Sequence, residues 1–448
     1  PGPRLLFYPA RMPSPSSMSA ASYRTLVFAV LACAYMLVIF HRLCPAVVAV
    51  DMMRDLNAGG GLIGMLSGAY FYSYAIMQLP AGLLADSWGA RRTTTVFYLA
   101  AAAGALCMGL APDAALATGG RVLVGIGMSM IWVCTLKTLA VWYPPSRFAA
   151  MTGMLVAAGG LGSLLSSAPL AWVAQTAGWR NAFIGLGVLS AAMAGLLWLV
   201  VRDAPAQAGC NGPDSPHSPP PGGQALMPGV RMVLADRRGW LIAAWLFLDN
   251  GIFFSFAGLW AGPYLKHVHG FDQTGTGGVL AMVSLGLMTG GPLLSAFSTH
   301  VMKSRRKTLI LCASAMTVIL ASLAARFDSA GTAELHALFF LFGVFGGAAP
   351  AVAFTSAKEL YPVALAGTAL GIMNIFPFAG GAVFQPLLGM ILEQSGHAAS
   401  GGFTHGGYRA MFMALTVSSA LLLAVCAMLT ETLRGGTTPD RESHPPAG

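Results

Sequence analysis

Repeated apolar length is the feature that most constrains this chain. Twelve runs of about 20 mostly apolar residues recur along it, and a helix of that length crosses the hydrocarbon core of a bilayer. They cover roughly 23–50, 62–84, 93–111, 119–141, 149–175 and 182–201, then 239–265, 276–298, 308–326, 336–357, 366–392 and 409–431. The 448 residues would by length alone allow about three soluble domains. Composition removes that option. Hydrophobic residues make up 56% and charged residues 9%, against roughly 25% charged in ordinary globular domains. So little charge cannot solvate a water-facing surface of this size. The expected fold is an all-α integral membrane protein with 12 transmembrane helices.

Between the sixth and seventh runs lies DAPAQAGCNGPDSPHSPPPGGQALMPG, rich in Pro, Gly and Ser. Such a segment cannot bury a core and reads as a flexible linker. The expected organisation is a tail at 1–22, a six-helix bundle at 23–201, a linker at 202–238, a second six-helix bundle at 239–431 and a tail at 432–448. The two halves echo each other. Lys137, Trp142-Tyr143-Pro144, Gly159-Gly160, Pro169-Leu170 and Trp179-Arg180 in the first answer to Lys358, Tyr361-Pro362, Gly380-Gly381, Pro386-Leu387 and Tyr408-Arg409 in the second. The N-terminal segment PGPRLLFYPARMPSPSS lacks the long apolar core of a cleaved signal, and Met18 is a candidate natural start. The seven cysteines have neither CxxC nor zinc-like spacing, so they read as small apolar side chains rather than as disulfides or metal ligands.

A net charge of +9 would suggest nucleic acid in a soluble protein. Here topology explains it, because cytoplasmic loops retain Lys and Arg. With both termini cytoplasmic, 17 of the 25 basic residues fall inside, including the Lys303–Lys307 cluster, and 6 fall at outer segments and helix ends. The reverse orientation would put that cluster outside. The expected location is a prokaryotic inner membrane, with the bilayer and a small-molecule substrate as partners, no nucleic acid, and a monomeric chain.

The loop after the second run reads GLLADSWGARR, so that Gly82, Asp86, Gly89, Arg91 and Arg92 stand as G-x-x-x-D-x-x-G-x-R-R. Gly82 permits close helix approach, and Asp86 can cap a helix or pair with an arginine. Such a loop can latch two helices in one conformation. In the fourth run, Arg121 opens an R-x-x-x-G-x-G segment completed by Gly125 and Gly127. With these motifs and twelve runs, the chain resembles the major facilitator superfamily. The resemblance implies two six-helix bundles rocking around a central site and assigns Arg121 with the loop residues to the conformational latch. It does not identify the cargo. The corresponding second-half loop, SAFSTHVMKSRRK, places Thr299 where the acid would be, so an asymmetric latch is expected. The fifth run, GMLVAAGGLGSLLSSAP, lacks the Gly-Pro step of the family's drug exporters, which disfavours a multidrug antiporter.

A charge near the bilayer centre costs about 3 kcal/mol or more, so each one needs a reason. Arg42 lies in VIFHRLCPAVV, beside His41 and three residues before Pro45, which removes a backbone donor and opens the helix. Tyr35, seven residues earlier, shares its face. The group reads as an anion-binding corner with Arg42 as a fixed fork and His41 as a proton-sensitive neighbour. An arginine there resembles that of organic-anion transporters in the superfamily. The organophosphate antiporters add a second arginine in the seventh span, and this chain has none.

Asp249, in WLFLDNGIFFSF, is the only acidic residue deep within a run. Trp245, Phe256 and Trp260 fall on its helical stripe, so it is expected to face the cavity among aromatics as a proton carrier. Tyr70, Tyr74 and Gln78 in the second run, and Asn374, Phe378 and Gln385 in the eleventh, form further candidate walls; Lys137 is expected to snorkel inward. The candidate substrate-binding set is therefore Arg42, Tyr35, His41, Tyr74, Gln78, Trp260, Asn374 and Gln385, with Asp249 for the proton.

No phosphate-binding GxxxxGK[ST] loop, metal-ligand cluster or partnered nucleophile occurs in the sequence, so neither enzyme nor cofactor is expected. The expected function is secondary transport of a small organic anion, coupled to protons. An exporter of a metabolite or siderophore is the rival within the same fold. A transport-inactive sensor or scaffold is expected to carry a folded soluble appendage, in place of a Pro-rich linker and short tails.

Overall fold

The computed structural model describes residues 20–204, 226–361, 363–398 and 402–433. Met18, most of both tails and most of the linker lie outside the described residues, as do the surroundings of Gly82 and Asp86.

Among the described residues the regular elements are helical, with one isolated bridge between His397 and Phe403. In chain order they are α1 (Ala20–Leu43), α2 (Pro45–Asp55), α3 (Gly60–Trp88), α4 (Ala90–Leu110), α5 (Ala114–Ser129), α6 (Ile131–Trp142), α7 (Pro145–Leu165), α8 (Ala168–Ala177) and α9 (Trp179–Val200). After the linker come α10 (Leu226–Ala235), α11 (Arg237–Ser255), α12 (Ala261–His269), α13 (Gln273–Ala296), α14 (Arg305–Ala325), α15 (Thr332–Phe342), α16 (Pro350–Leu360), α17 (Val363–Met373), α18 (Ile375–Gln394) and α19 (His405–Met428). Short π-helical segments join α11 to α12 and α15 to α16, and extend α13. Among the described residues, 11 helical stretches are long and apolar enough to cross a membrane. Each falls on an expected run. The 29-residue α3 occupies the place of the second run.

Several spans are broken, and the breaks have local causes. Pro45 separates α1 from α2, and Pro350 opens α16, because proline cannot donate to the turn before it. Helix starts are fixed by polar caps. Asp113, Asp236, Asp272, Ser304 and Thr404 each accept a backbone N–H in the first turn that follows, satisfying donors that a helix leaves unpaired. Gly89 ends α3 with φ +81°, a left-handed conformation that glycine adopts without steric cost.

Helices from the two halves of the sequence pack together: α3 on α18, α2 on α12, and α8 on α13. Within the halves the repeat reappears as matched ties. Trp179, at the start of α9, donates to Asp55 at the end of α2 over 2.9 Å. Tyr408, near the start of α19, bonds His267 near the end of α12, also over 2.9 Å. Asp203, just past α9, accepts the Arg91 N–H at 2.9 Å, and Glu431, just past α19, accepts that of Arg305 at 2.9 Å.

A candidate anion site at the break in the first span

Arg42 is buried, 8% exposed, at the end of α1. Its guanidinium lies 4.9 Å from the Phe378 ring, 5.2 Å from that of Tyr74 and 5.7 Å from that of Phe254. These residues come from α18, α3 and α11, so rings from three helices lie beside one cation. Tyr74 and Phe378 stack at 4.0 Å. Aromatic faces attract a guanidinium but leave its N–H groups unmet. Arg42 Nε is buried without an acceptor, and no carboxylate pairs with Arg42 among the described residues.

The backbone beneath Arg42 is held by a second arginine. In an unbroken helix, the residue 45 N–H would donate to the His41 carbonyl, and Pro45 has none to give. Arg121 from α5, fully buried, donates through Nη1 to that carbonyl at 2.7 Å and through Nη2 to the Arg42 carbonyl at 3.4 Å. Its guanidinium also covers the Tyr70 ring at 4.7 Å. Arg121 therefore sits at the break, apart from the α3–α4 loop with which the sequence grouped it. His41 points elsewhere: its Nε2 meets Ser190 Oγ at 3.1 Å. Tyr35 lies a step along α1, its ring 4.9 Å from that of Trp132.

The α3 and α18 stripes meet across the halves. Asn374 donates to Gln78 at 3.0 Å, and Gln78 reaches the Ser129 carbonyl at 3.5 Å. Gln385 and Trp260 are tied into the packing, and Gln385 Oε1 is left without a partner among the described residues. Gln385 Nε2 donates to the Phe254 carbonyl at 2.9 Å, and Trp260 Nε1 to the Gln385 carbonyl at 2.9 Å. Ser163 of α7 bonds Ser284 of α13 at 2.7 Å beside a narrow cleft whose lining includes Leu43, Ala46 and Phe253.

Asp249 is almost fully buried, and its Oδ2 lacks a partner. Its direction differs from the expected one. Along its stripe, Trp245 donates to Cys426 Sγ at 3.1 Å, and Phe256 packs on Phe339, Phe342 and Phe412. At Asp249 the stripe thus faces Cys312 of α14 and Cys426 of α19. Phe254, which meets Arg42, lies five residues on from Asp249, about 140° around the helix. Periodicity gives a shared face but not the neighbour that face meets.

The seam between the halves is shut at one end. A Cβ on Gly64 of α3 would lie 2.6 Å from the Gln385 carbonyl oxygen and 2.7 Å from Pro386 Cα. Gly262 of α12 presses still more closely on the Ala46 carbonyl. Glu393 of α18 accepts the Gly60 N–H, Lys266 pairs with Asp51 at 3.5 Å, and Gln273 donates to the Val47 carbonyl at 2.8 Å. Gly153 of α7, Gly291 of α13 and Gly371 of α17, nearer the other end, meet no atom within 4 Å of a Cβ position.

At that other end, the expected loop is the end of α3 and the start of α4 joined by Gly89 alone, and the start of α4 is pinned to the α9 terminus. Arg91 Nε donates to the Trp198 carbonyl at 2.8 Å, and its guanidinium covers that indole at 4.1 Å. Arg92 is exposed. Lys137 donates to the Ala85 carbonyl at 2.7 Å. In the second half, Thr299 accepts from Arg305 Nη1 at 2.9 Å, while Glu359 supplies a carboxylate to Arg305 Nη2 at 3.0 Å. The acid missing at Thr299 thus comes from α16, a partner that the local motif does not contain.

Residues 27–385 match the Major Facilitator Superfamily. The chain belongs to that superfamily. It is a multi-pass membrane transporter and not an enzyme. It is 22% identical to the probable sulfoacetate transporter of Cupriavidus necator over 406 residues, covering 83% of this chain and 88% of that protein. It is 22% identical to the hexuronate transporter of Bacillus subtilis over 385 residues, with the same coverages. Among solved structures, a bacterial homolog of the human lysosomal transporter Spinster, in an inward-facing and unoccupied conformation, aligns with a TM-score of 0.73 at 17% identity, covering 91% of this chain and 96% of that one.

Proposed function

We propose that this superfamily member is a secondary active transporter of a small organic anion, working by alternating access between two six-helix bundles. The observation that carries the proposal is the buried Arg42 guanidinium, set against three aromatic rings and paired with no carboxylate among the described residues. An uncompensated buried charge costs several kcal/mol, and an anionic solute repays it by pairing with the guanidinium through its unmet Nε–H. Relatives whose names give sulfoacetate and hexuronate as cargo fit the same chemistry, since both solutes carry an acid group. Arg42 binds the anion. Tyr74 and Phe378 flank it, and Gln78 with Asn374 offers amide contacts when the seam parts. Tyr35 and His41 line the same helix.

With α3 as the twelfth span and both termini cytoplasmic, the closed end lies outside and the chain stands open inward. The Gly82–Arg92 loop, with Asp86 as its acid, then serves as the latch of the opposite state. Asp249 carries the coupling proton. It acts from the far face of α11 by altering how that helix packs, so solute and proton do not touch. In this reading α11 is the two-state element on which both ligands act.

The test is a thermal-shift titration of the purified protein with sulfoacetate, D-glucuronate and D-glucarate, using neutral glycerol and glucose as controls. Saturable stabilisation by an acid and none by the neutral solutes is expected. Equal responses to acids and neutral solutes would remove the anion site.

A further inference from the structure

Transport leaves one strongly basic recess unused. It is an open pocket of about 500 Å³ at the start of α14, lined by Lys303, Ser304, Arg306, Lys307, Ile310 and Glu431. Its one carboxylate is already occupied: Glu431 accepts from the Ser304 hydroxyl and from the N–H groups of Arg305, Thr432 and Leu433. Arg305 is paired with Glu359. Lys303, Arg306 and Lys307 have no ion pair among the described residues.

Two features make this more than a charged turn. Cations at the N-terminus of a 21-residue helix sit at the unfavourable end of its dipole, and three within two turns repel one another. The backbone nevertheless holds them there: Lys303 adopts φ +47°, left-handed for a non-glycine residue. Arg306 is also fixed, its Nη2 donating to the Ala427 carbonyl at 2.6 Å while its Nε is buried without an acceptor. An anion in the recess would relieve the repulsion.

The surroundings select the kind of anion. Leu311 and Val318 continue the Lys307 face along α14, and Val417, Leu421 and Met428 line one face of the adjoining α19; all five are exposed. The cations thus stand at the polar end of an apolar, outward-facing helix pair. We propose that the recess binds the phosphate head of an anionic phospholipid, whose acyl chains lie along α14 and α19. This does not depend on the identity of the transported solute.

The test uses the purified full-length protein in a mild detergent, titrated with phosphatidylglycerol, phosphatidylcholine or inorganic phosphate, with retained lipid counted by native mass spectrometry and melting followed in parallel. The variants are Lys307→Gln, Lys303→Gln with Lys307→Gln, and a charge-matched control, Arg147→Gln with Arg237→Gln. Phosphatidylglycerol is expected to bind saturably and raise the melting temperature, and the other two probes are not. At roughly 1 kcal/mol per basic residue near anionic lipid, Lys307→Gln weakens binding about 5-fold and the double variant about 30-fold, while the control matches wild type. Both lysine variants should melt no lower than wild type without lipid, since a repulsion is removed. Undiminished lipid binding in the double variant, or equal loss in the control, overturns the proposal. A phosphate response matching that of phosphatidylglycerol overturns the lipid assignment.

Discussion

Two arginines act on one broken helix, and their chemistry is divided. Arg121 is spent on backbone: it supplies the donor that Pro45 withholds from the His41 carbonyl. Arg42 keeps its Nε donor, which meets no acceptor among the described residues. Removing a charged partner from a buried carbonyl costs about 1–3 kcal/mol, so Arg121→Gln is expected to lower the melting temperature by several degrees. Pro45→Ala restores the missing N–H and should recover most of that loss in the double variant, although it changes wild type little. Scanning calorimetry on the four proteins checks this; additive losses would disconnect Arg121 from the break. The proline, both arginines and the acid-free first span are all visible in the sequence. The bond between them is not, because it joins residues about 80 apart through a carbonyl that carries no sequence signal.

At the scale of elements, helix ends carry the ties that hold the spans in register. Hydrogen bonding from Trp179, aided by Arg54 and Arg180, holds the Asp55 carboxyl below the usual carboxylate range. The native state therefore takes up this proton at lower pH than the unfolded chain. The tie contributes stability above the ordinary aspartate value of about 3.9 and loses it as pH falls through the lowered native value. The melting-temperature gap between wild type and Asp55→Asn should thus be full from pH 7 to about 5 and close below 4; a gap that widens in acid would contradict the sign.

The α3–α18 contact makes a second prediction. The backbone meets the Gly64 Cβ position at 2.6–2.7 Å, so Gly64→Ala must push these helices apart. In an otherwise cysteine-free chain carrying Ala382→Cys, on the α18 face that meets Gly68 of α3, labelling by a membrane-impermeant maleimide from outside should rise several-fold, and an unchanged rate would remove α3–α18 from the outer closure. Spans were legible because apolar length is a local property. Partners were not: Asp203, Glu359, Glu393 and Glu431 sit in unremarkable terminal segments and gain meaning only when distant helix ends meet them.

For the whole molecule, the account rests on a division of labour across α11. One face meets Arg42 through Phe254, and the other carries Asp249 toward Cys312 of α14 and Cys426 of α19. The heptad-like stripe identified the aromatics around Asp249 but assigned them to the cavity, since helical period carries no information on which side of a bundle a face will meet. If Asp249 carries the proton, Asp249→Asn in proteoliposomes should retain solute counterflow and lose accumulation driven by a proton gradient; normal accumulation would end that role.

The central claim is that Arg42 is kept charged and unpaired for an anionic solute. Its most direct test is counterflow of a radiolabelled acid, sulfoacetate or D-glucuronate, whichever stabilises the wild-type protein, by Arg42→Gln in proteoliposomes. Removing a buried, uncompensated charge should leave melting unchanged or raise it, while counterflow falls at least 100-fold. Counterflow within a few-fold of wild type, from a variant that melts normally, would contradict the account.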